Sequence, residues 1–157
     1  MKAIAVFNHK VTSTTVTGTV TFEEQGNYVV MDIQLKGLSK NGLHGFHIHE
    51  AGDLTDKCES MCAHFNPYNK KHGGPGSKER HVGDLGNLKS DKNGNVNIRM
   101  SDNMIKLKGK ACIIGRGLII HADEDDLGNG TNDASKINGN SGKRIACAII
   151  GISKDNF

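Results

Sequence analysis

The sequence predicts an all-β sandwich or barrel of about eight antiparallel strands. Short apolar segments alternate with turn segments that are rich in glycine and asparagine. Glycine accounts for 20 of the 157 residues, nearly twice its usual fraction of about 7%. The chain is long enough to bury a core, and it contains no internal repeat and no boundary between domains. We therefore expect one domain over residues 1–157.

Apolar periodicity places the strands along the chain. Val29, Met31, Ile33 and Leu35 alternate with polar residues, which is the period-two pattern of a half-buried strand. Residues 91–94, Asp-Lys-Asn-Gly, form a turn sequence between two further strands. The second predicted strand is interrupted by a glycine at position 18. The predicted strands cover residues 2–8, 16–22, 29–35, the stretch around His47, 84–88, 95–100, 112–121 and 146–152.

Two segments between the predicted strands have no apolar periodicity. They cover residues 52–82 and 122–144 and are longer than most connections in compact domains. Loops of this length are usually functional or disordered. For residues 122–144, composition alone favours neither a functional loop nor a disordered segment. The first contains His64, His72 and His81, which a flexible linker does not require, so we interpret it as a functional loop.

A histidine-rich strand precedes the first of these loops. Because side chains of a strand alternate between its two faces, His47 and His49 share one face. Phe46 and Ile48 share the opposite face, which we expect to pack on the core. Two imidazoles placed two residues apart can bind one metal ion. His44 has the parity of the core face, so we interpret it as a hydrogen-bonded structural histidine.

Other histidines extend this signal into two groups that suit different metals. One group offers three imidazoles and a carboxylate, a complete tetrahedral set for zinc. Its members are His64, His72, His81 and Asp84. The second group offers three imidazoles that, with one shared ring, suit copper, because copper binds nitrogen ligands most tightly among the divalent metals. Its members are His47, His49 and His121. The alternative is a set of scattered surface histidines that bind no metal.

Composition and charge exclude two classes of partner. The formal net charge of +3 is spread along the chain, unlike the clustered lysines and arginines of nucleic-acid-binding proteins. The apolar run at residues 3–7 is too short for the core of a signal peptide or for a membrane span. We therefore expect a soluble cytoplasmic protein that binds neither nucleic acid nor membrane.

Four cysteines, Cys58, Cys62, Cys112 and Cys147, occur in this apparently cytosolic chain. Free buried thiols are the usual state of cysteines in the cytosol. The close pair Cys58 and Cys62 allows half of a zinc finger, but Cys112 and Cys147 are far apart and cannot supply a second close pair. The residues alone therefore favour free thiols over a cysteine-based zinc site.

Five motifs together resemble the eukaryotic intracellular copper–zinc superoxide dismutases. The resemblance covers nearly the whole chain. The motifs are GLHGFHIHE at 42–50, HFNP at 64–67, KHGGP at 71–75, RHVGDLGN at 80–87 and GNSGKRIAC at 139–147. The resemblance implies a Greek-key β-sandwich, the known fold of that family.

The resemblance also implies one copper and one zinc ion per subunit. The implied copper ligands are His47, His49, His64 and His121. The implied zinc ligands are His64, His72, His81 and Asp84. His64 belongs to both sets because in that family one imidazolate bridges the two metals.

Further residues take roles by the same resemblance. Asp125 matches a carboxylate that links a copper-bound to a zinc-bound histidine, an arrangement that fixes ring orientation. Arg144 matches a guanidinium beside the copper that attracts the anionic substrate. Cys58 and Cys147 match the family's intrasubunit disulfide, so the resemblance reverses the expectation of free thiols for this pair.

The function that the resemblance implies is dismutation of superoxide to dioxygen and hydrogen peroxide. Copper would cycle between two oxidation states, whereas zinc has no redox chemistry. His64 would deliver a proton and Arg144 would attract superoxide, so these are the expected catalytic residues. The resemblance further implies a homodimer and allows a copper chaperone as a partner.

Four positions depart from the pattern of that family. Asp123 and Ile137 stand where relatives often carry lysine, which predicts weaker electrostatic attraction of the substrate. Ala51 replaces an aromatic residue that is common at the subunit interface, which weakens the inference of a dimer. Cys62 replaces a residue that is usually not cysteine.

Two other functions remain open from the sequence. One is a metal-delivery protein with a dismutase-like domain, which the complete set of copper-ligand positions disfavours. The other is a zinc-stabilised binding module without redox chemistry. Metal analysis combined with an assay of superoxide consumption distinguishes these functions from the enzyme.

Overall fold

Eight antiparallel strands form a nearly closed barrel in the computed structural model of the protein, which describes residues 1–8 and 15–157. The strands are β1 (Lys2–Phe7), β2 (Thr17–Gln25), β3 (Tyr28–Lys36), β4 (Leu43–His49), β5 (Asp84–Lys89), β6 (Val96–Asp102), β7 (Gly117–His121) and β8 (Arg144–Ile152). Helical structure is limited to α1 (Ser135–Asn138) and two 3-10 turns, Glu59–Met61 and Lys154–Asn156, within this described part. No helix among the described residues is long and apolar enough to cross a membrane.

The strands follow a Greek-key order. Neighbouring strands in the sheet run β5-β4-β7-β8-β1-β2-β3-β6, so β4 pairs with β7, β1 with β8 and β3 with β6 across long stretches of sequence. Every ladder between these strands is antiparallel. The predicted all-β Greek-key fold is therefore confirmed.

Alternating side chains fill the barrel. In β3, Val29, Met31, Ile33 and Leu35 are buried, as their period-two pattern predicts, and the residues between them lie outside the core. They pack with Phe22, Phe46, Ile48, Leu85, Leu88 and Leu118 in one apolar cluster. Full burial of each such side chain contributes about 1.5–3 kcal/mol.

Glycine geometry changes two of the predicted strands. Gly18 does not interrupt β2, because a Cβ at this position would overlap the carbonyl oxygen of Gln34 on the paired strand and only glycine permits this approach. The strand predicted at 112–121 begins at Gly117 instead. Gly115 has a φ of +82°, and the Arg116 N–H donates to the Ile113 carbonyl at 3.2 Å. The apolar residues before Gly117 therefore form a turn.

A disulfide between Cys58 and Cys147 connects the first long segment to β8. The bonded residues are separated by 89 positions, so the bond closes most of the second half of the chain into a loop. Cys62 and Cys112 are free. The pairing that the family resemblance implied is confirmed.

We predict that Cys147→Ser lowers the free energy of unfolding of the metal-free protein by about 2–5 kcal/mol, because the unfolded chain regains the entropy of an open loop. Denaturant unfolding under oxidising conditions measures the change. Cys112→Ser is the matched control, since it removes a free thiol, and it should stay within about 1 kcal/mol of the parent. Equal losses in the two variants would contradict a stabilising role for the disulfide.

Candidate metal centre

Eight buried metal-binding side chains gather at one side of the barrel. They come from β4, from the start of β5, from the end of β7 and from the two long segments. They are His47, His49, His64, His72, His81, His121, Asp84 and Asp125. The structure thus brings together all eight residues that the sequence and the family resemblance placed at the metals.

The β4 strand sets the first two histidines. Phe46 and Ile48 are fully buried in the core, so His47 and His49 point to the opposite face, as predicted. The first long segment then returns to β4, where the Phe65 N–H donates to the Ile48 carbonyl at 2.8 Å. This hydrogen bond accompanies a β-bridge between His49 and His64. Backbone pairing therefore positions His64 beside the β4 histidines.

The first cluster consists of His47, His49, His64 and His121, whose candidate ligand atoms lie within 4.8 Å of one another. One nitrogen of each ring is buried and has no hydrogen-bond partner in the described part of the chain. These atoms are His47 Nδ1, His49 Nε2, His64 Nε2 and His121 Nε2. Unpaired buried polar atoms are costly, so four such nitrogens in one place fit a bound metal ion.

The outer nitrogens of these rings are held by hydrogen bonds. His49 Nδ1 lies 2.9 Å from the Cys62 carbonyl oxygen, and His121 Nδ1 lies 3.1 Å from the Gly142 carbonyl oxygen. A donated proton at the outer nitrogen leaves the inner nitrogen as a free lone pair for a metal. Sequence reasoning missed both carbonyls, because a backbone group leaves no residue-type signal.

The second cluster consists of His64, His72, His81 and Asp84. Asp84 Oδ1 lies 2.9 Å from His64 Nδ1, 3.0 Å from His72 Nδ1 and 3.1 Å from His81 Nδ1. A tetrahedral zinc ion with ligand bonds of about 2.0–2.1 Å separates its ligand atoms by about 3.3 Å. The cluster therefore fits a tetrahedral ion with only a slight expansion.

Two residues join the clusters. His64 directs Nε2 to the first cluster and Nδ1 to the second. Asp125 accepts from both sides, since its Oδ2 lies 2.7 Å from His47 Nε2 and its Oδ1 lies 2.8 Å from His72 Nε2. The two clusters therefore form a single connected centre.

Burial keeps the first cluster uncharged. Desolvation lowers the pKa values of His47, His49 and His64 below their ordinary value, with repulsion between neighbouring imidazolium groups adding to the effect. The same burial lowers the pKa of His121 to about 4. Metals bind neutral imidazole, so these rings are ready to bind a cation at neutral pH.

The second cluster is charged before a metal binds. Burial alone would lower the pKa of His72, but hydrogen bonds to Asp125 and Asp84 outweigh it and raise the pKa to about 9. Burial alone would raise the pKa of Asp84, but hydrogen bonds from three histidines dominate and lower it. A metal that binds here must therefore displace a proton.

A cleft of about 240 Å³ opens on the first cluster. It is lined by His49, Ala63, His64, His121, Ile137, Asn138, Ser141, Gly142 and Arg144. The Arg144 guanidinium donates to the Cys58 carbonyl at 2.9 Å and to the Cys62 carbonyl at 2.6 Å. Because these carbonyls belong to the disulfide-bonded segment, the cation is fixed at the wall of the cleft.

The two positions where relatives often carry lysine, Asp123 and Ile137, lie differently with respect to the cleft. Ile137 lines the cleft with 63% of its surface exposed. Lys136 does not replace the missing charge, because its Nζ donates to the Gly128 carbonyl and lines another surface. Asp123 lies beside Gly142 and outside the lining of the cleft.

His44 stays outside both clusters. Its Nδ1 lies 2.8 Å from the His121 carbonyl oxygen, and its Nε2 lies 2.7 Å from Ser39 Oγ. The prediction of a hydrogen-bonded structural histidine is confirmed.

Comparisons with known proteins give the family. Residues 16–150 match the family model described as copper/zinc superoxide dismutase (SODC). The chain belongs to the copper/zinc superoxide dismutase family. Copper/zinc superoxide dismutases use copper and zinc, and the two buried clusters fit both metals.

Relatives of this dismutase come from several kinds of source. It is 58% identical to a superoxide dismutase [Cu-Zn] of Paramecium bursaria Chlorella virus 1, over 90% of this chain and 76% of the relative. It is 53% identical to an extracellular superoxide dismutase [Cu-Zn] of Drosophila melanogaster, over 89% of this chain and 78% of the relative. Superoxide dismutase [Cu-Zn] 5 of Dictyostelium discoideum is 48% identical, over 88% of this chain and 92% of the relative.

A solved structure shares the same fold. The crystal structure of the clock protein EA4 has 42% sequence identity and a TM-score of 0.91, and the match covers 97% of this dismutase and 94% of that chain. The two proteins therefore share the same overall fold.

We predict that the metal-free dismutase loses stability as the pH falls from about 6.5 toward 4. Burial holds the pKa of His121 at about 4 in the folded protein, against an ordinary value of 6.5. The unfolded chain therefore binds more protons in this interval, and unfolding becomes more favourable. For His121 alone the loss between pH 7 and pH 5 is about 2 kcal/mol.

Urea unfolding of the metal-free protein at pH 7, 6 and 5 measures this loss. His121→Gln removes the titrating ring. The loss of stability between pH 7 and pH 5 should therefore be smaller than in the parent, by the about 2 kcal/mol attributed to His121. If the free energy of unfolding has the same pH dependence in the variant and the parent, burial does not hold His121 neutral in the folded protein.

Proposed function

We propose that the protein dismutes superoxide to dioxygen and hydrogen peroxide at the first cluster, with copper held by this cluster and zinc held by the second. The proposed copper ligands are His47, His49, His64 and His121. The proposed zinc ligands are His64, His72, His81 and Asp84. The observation that carries the proposal is the His64 ring, whose two nitrogens face the two clusters.

The donor atoms favour this distribution of metals. The first cluster offers four imidazole nitrogens and no carboxylate, and copper has the highest affinity for such ligands among the divalent metals. The second cluster offers three nitrogens and one carboxylate oxygen, which is a closed tetrahedral set for zinc. When bound, copper supplies one-electron redox chemistry and zinc supplies none.

Arg144 would bind the substrate in the cleft. Superoxide is a small monoanion, and a guanidinium stays charged at every working pH. Two carbonyls hold the Arg144 guanidinium at the wall of the cleft that His49, His64 and His121 also line. The substrate therefore meets a fixed positive charge next to the first cluster.

His64 would carry one of the two protons that hydrogen peroxide requires. Its Nε2 faces the first cluster and the cleft, whereas its Nδ1 is directed to the second cluster. The ring can hold a proton at Nε2 while Nδ1 keeps it in place. The second proton would come from water in the cleft.

The two non-enzymatic alternatives have less support. A metal-delivery protein or a zinc-stabilised binding module would not need both complete ligand sets or a cation fixed in an open cleft. Reconstitution with copper and zinc, followed by metal analysis and a superoxide-consumption assay, tests the proposal. A fully loaded protein that does not consume superoxide would overturn it.

We also propose that the protein forms a homodimer. Gly52 lies against Gly115 and within contact distance of Ile149, since a Cβ built on it would be 3.1 Å from Ile149 Cγ2. Ile149 and Ile152 are 41% and 51% exposed on β8. These residues give the surface an apolar character that suits a second copy, although Ala51 adds less area than an aromatic residue would. A copper chaperone as a partner remains a prediction from the family resemblance.

We further propose a cytoplasmic location. The exposed free thiol of Cys62 supports it, because reducing compartments preserve such thiols. Relatives include extracellular enzymes from Drosophila melanogaster and Haemonchus contortus. The proposal therefore rests on the thiol and on the intracellular type that the motifs resemble.

We predict that His121→Ala abolishes copper binding and activity but leaves zinc bound, because His121 contributes only to the first cluster. His81→Ala is the reciprocal variant, since His81 contributes only to the second cluster, and it should lose zinc affinity by about tenfold or more. Metal content of the two purified proteins decides the assignment. Loss of both metals from His121→Ala would refute separable sites.

We predict that Ile137→Lys raises the rate constant for superoxide at low salt by about twofold or more, because it adds a positive charge at the cleft. Asp123→Lys should raise it less, since Asp123 lies outside the lining of the cleft. Arg144→Ala should lower the rate by about tenfold or more. Second-order rate constants across a salt series measure these effects.

A charge added elsewhere provides the control for this series. Ile98→Lys places the same charge on β6, at a side chain that is 40% exposed and does not line the cleft. It should leave the rate and its salt dependence unchanged. If it acts as strongly as Ile137→Lys, the net charge of the protein and not the cleft controls the encounter.

A further inference from the structure

The backbone of Asp125 is held by a single side chain. The Asn87 side-chain amide donates through Nδ2 to the Asp125 carbonyl at 2.9 Å, and the Asp125 N–H donates to Asn87 Oδ1 at 2.7 Å. One amide group therefore satisfies both backbone groups of Asp125. These bonds link β5 to the long segment after β7 across 38 positions of sequence.

Local geometry in β5 brings Asn87 to this place. Gly86 has a φ of +83°, and it interrupts the alternation of the strand so that Leu85 and Leu88 are both buried in the core. Asp84 and Asn87 contact the long segments instead, with Asp84 in the second cluster and Asn87 on Asp125. The same short strand thus supplies a metal-binding carboxylate and an anchor for the second segment.

The Asp125 carboxylate needs such an anchor because it must reach two rings at once. It lies in a segment without strand structure, and its two oxygens face His47 Nε2 and His72 Nε2. The Leu127 N–H also donates to Asp125 Oδ1 at 2.8 Å, and Gly139 packs against that oxygen so closely that a Cβ would overlap it. These contacts constrain the carboxylate, but only the Asn87 amide bonds to the backbone N–H and carbonyl of Asp125 among the described residues.

We propose that Asn87 is a positioning residue for the metal centre. It fixes the backbone of Asp125 to β5 and thereby directs the carboxylate that orients His47 and His72. This inference rests on the metal assignment proposed above. Its consequence is that loss of the amide weakens zinc binding and loosens both histidine rings without removing any ligand.

The test is zinc affinity of the full-length protein loaded with zinc alone, measured by competition with a chelator. Asn87→Ala should weaken zinc binding by about 3–10-fold, less than the 10–100-fold loss that follows direct removal of a carboxylate behind a metal-bound histidine. In proton NMR, the Nε2–H signals of His47 and His72 should exchange with water faster than in the parent. Asn87→Ser keeps a polar group at this half-buried position and serves as the second variant if Asn87→Ala fails to fold.

Asn66 provides a matched control. Its amide makes the same two bonds to the backbone of Lys70, with Nδ2 donating to the Lys70 carbonyl at 2.8 Å and Oδ1 accepting from the Lys70 N–H at 2.9 Å. This clamp holds Lys70, which belongs to neither metal cluster. Asn66→Ala should keep zinc affinity within twofold of the parent and leave the exchange of both Nε2–H signals unchanged.

A double-mutant comparison separates positioning from general loosening of the loop. In an Asp125→Ala background, Asn87→Ala should change zinc affinity by less than twofold, because the group through which Asn87 acts is gone. The proposal is overturned if Asn87→Ala keeps the affinity and exchange of the parent, if Asn66→Ala has an equal effect, or if the effects of Asn87 and Asp125 add. A parent protein that fails to bind zinc would instead overturn the proposed zinc site itself.

Discussion

The shared ring of His64 is the constraint on which the metal centre depends. Its two nitrogens face different clusters, so the ring must occupy one position that suits both. Neighbouring rings enclose it, with centroids 4.0 Å away at His47 and 5.4 Å away at His81. The β-bridge to His49 fixes its backbone at the same time. A displacement of this ring would therefore disturb both clusters together.

The barrel makes this placement possible and the metals complete it. Strands β4, β5 and β7 carry four of the eight residues at the centre, and their opposite faces pack into the apolar core. The four inward nitrogens of the first cluster are buried and have no hydrogen-bond partner among the described residues. Each such atom costs about 1–3 kcal/mol, so metal binding removes an unfavourable contribution to the folded state. Metal affinity and fold stability are therefore linked in this protein.

The sequence predicted what depends on side-chain pattern and residue type. The alternation in β3, the common face of His47 and His49, and the composition of the two ligand sets all follow from such patterns. The turn before Gly117, the backbone carbonyls that hold the histidines, and the anchor at Asn87 did not follow, because they depend on backbone conformation and on contacts distant in sequence. Lys136 illustrates the same limit, since only the structure reveals that its side chain points away from the cleft.

The most direct test of the bridging role of His64 is a crystal structure of the reconstituted protein with anomalous data at the copper and zinc absorption edges. The account predicts two metal peaks on opposite sides of the His64 ring, copper beside Nε2 and zinc within about 2.0–2.1 Å of Nδ1. A single metal peak, or two peaks that the His64 ring does not separate, would contradict it.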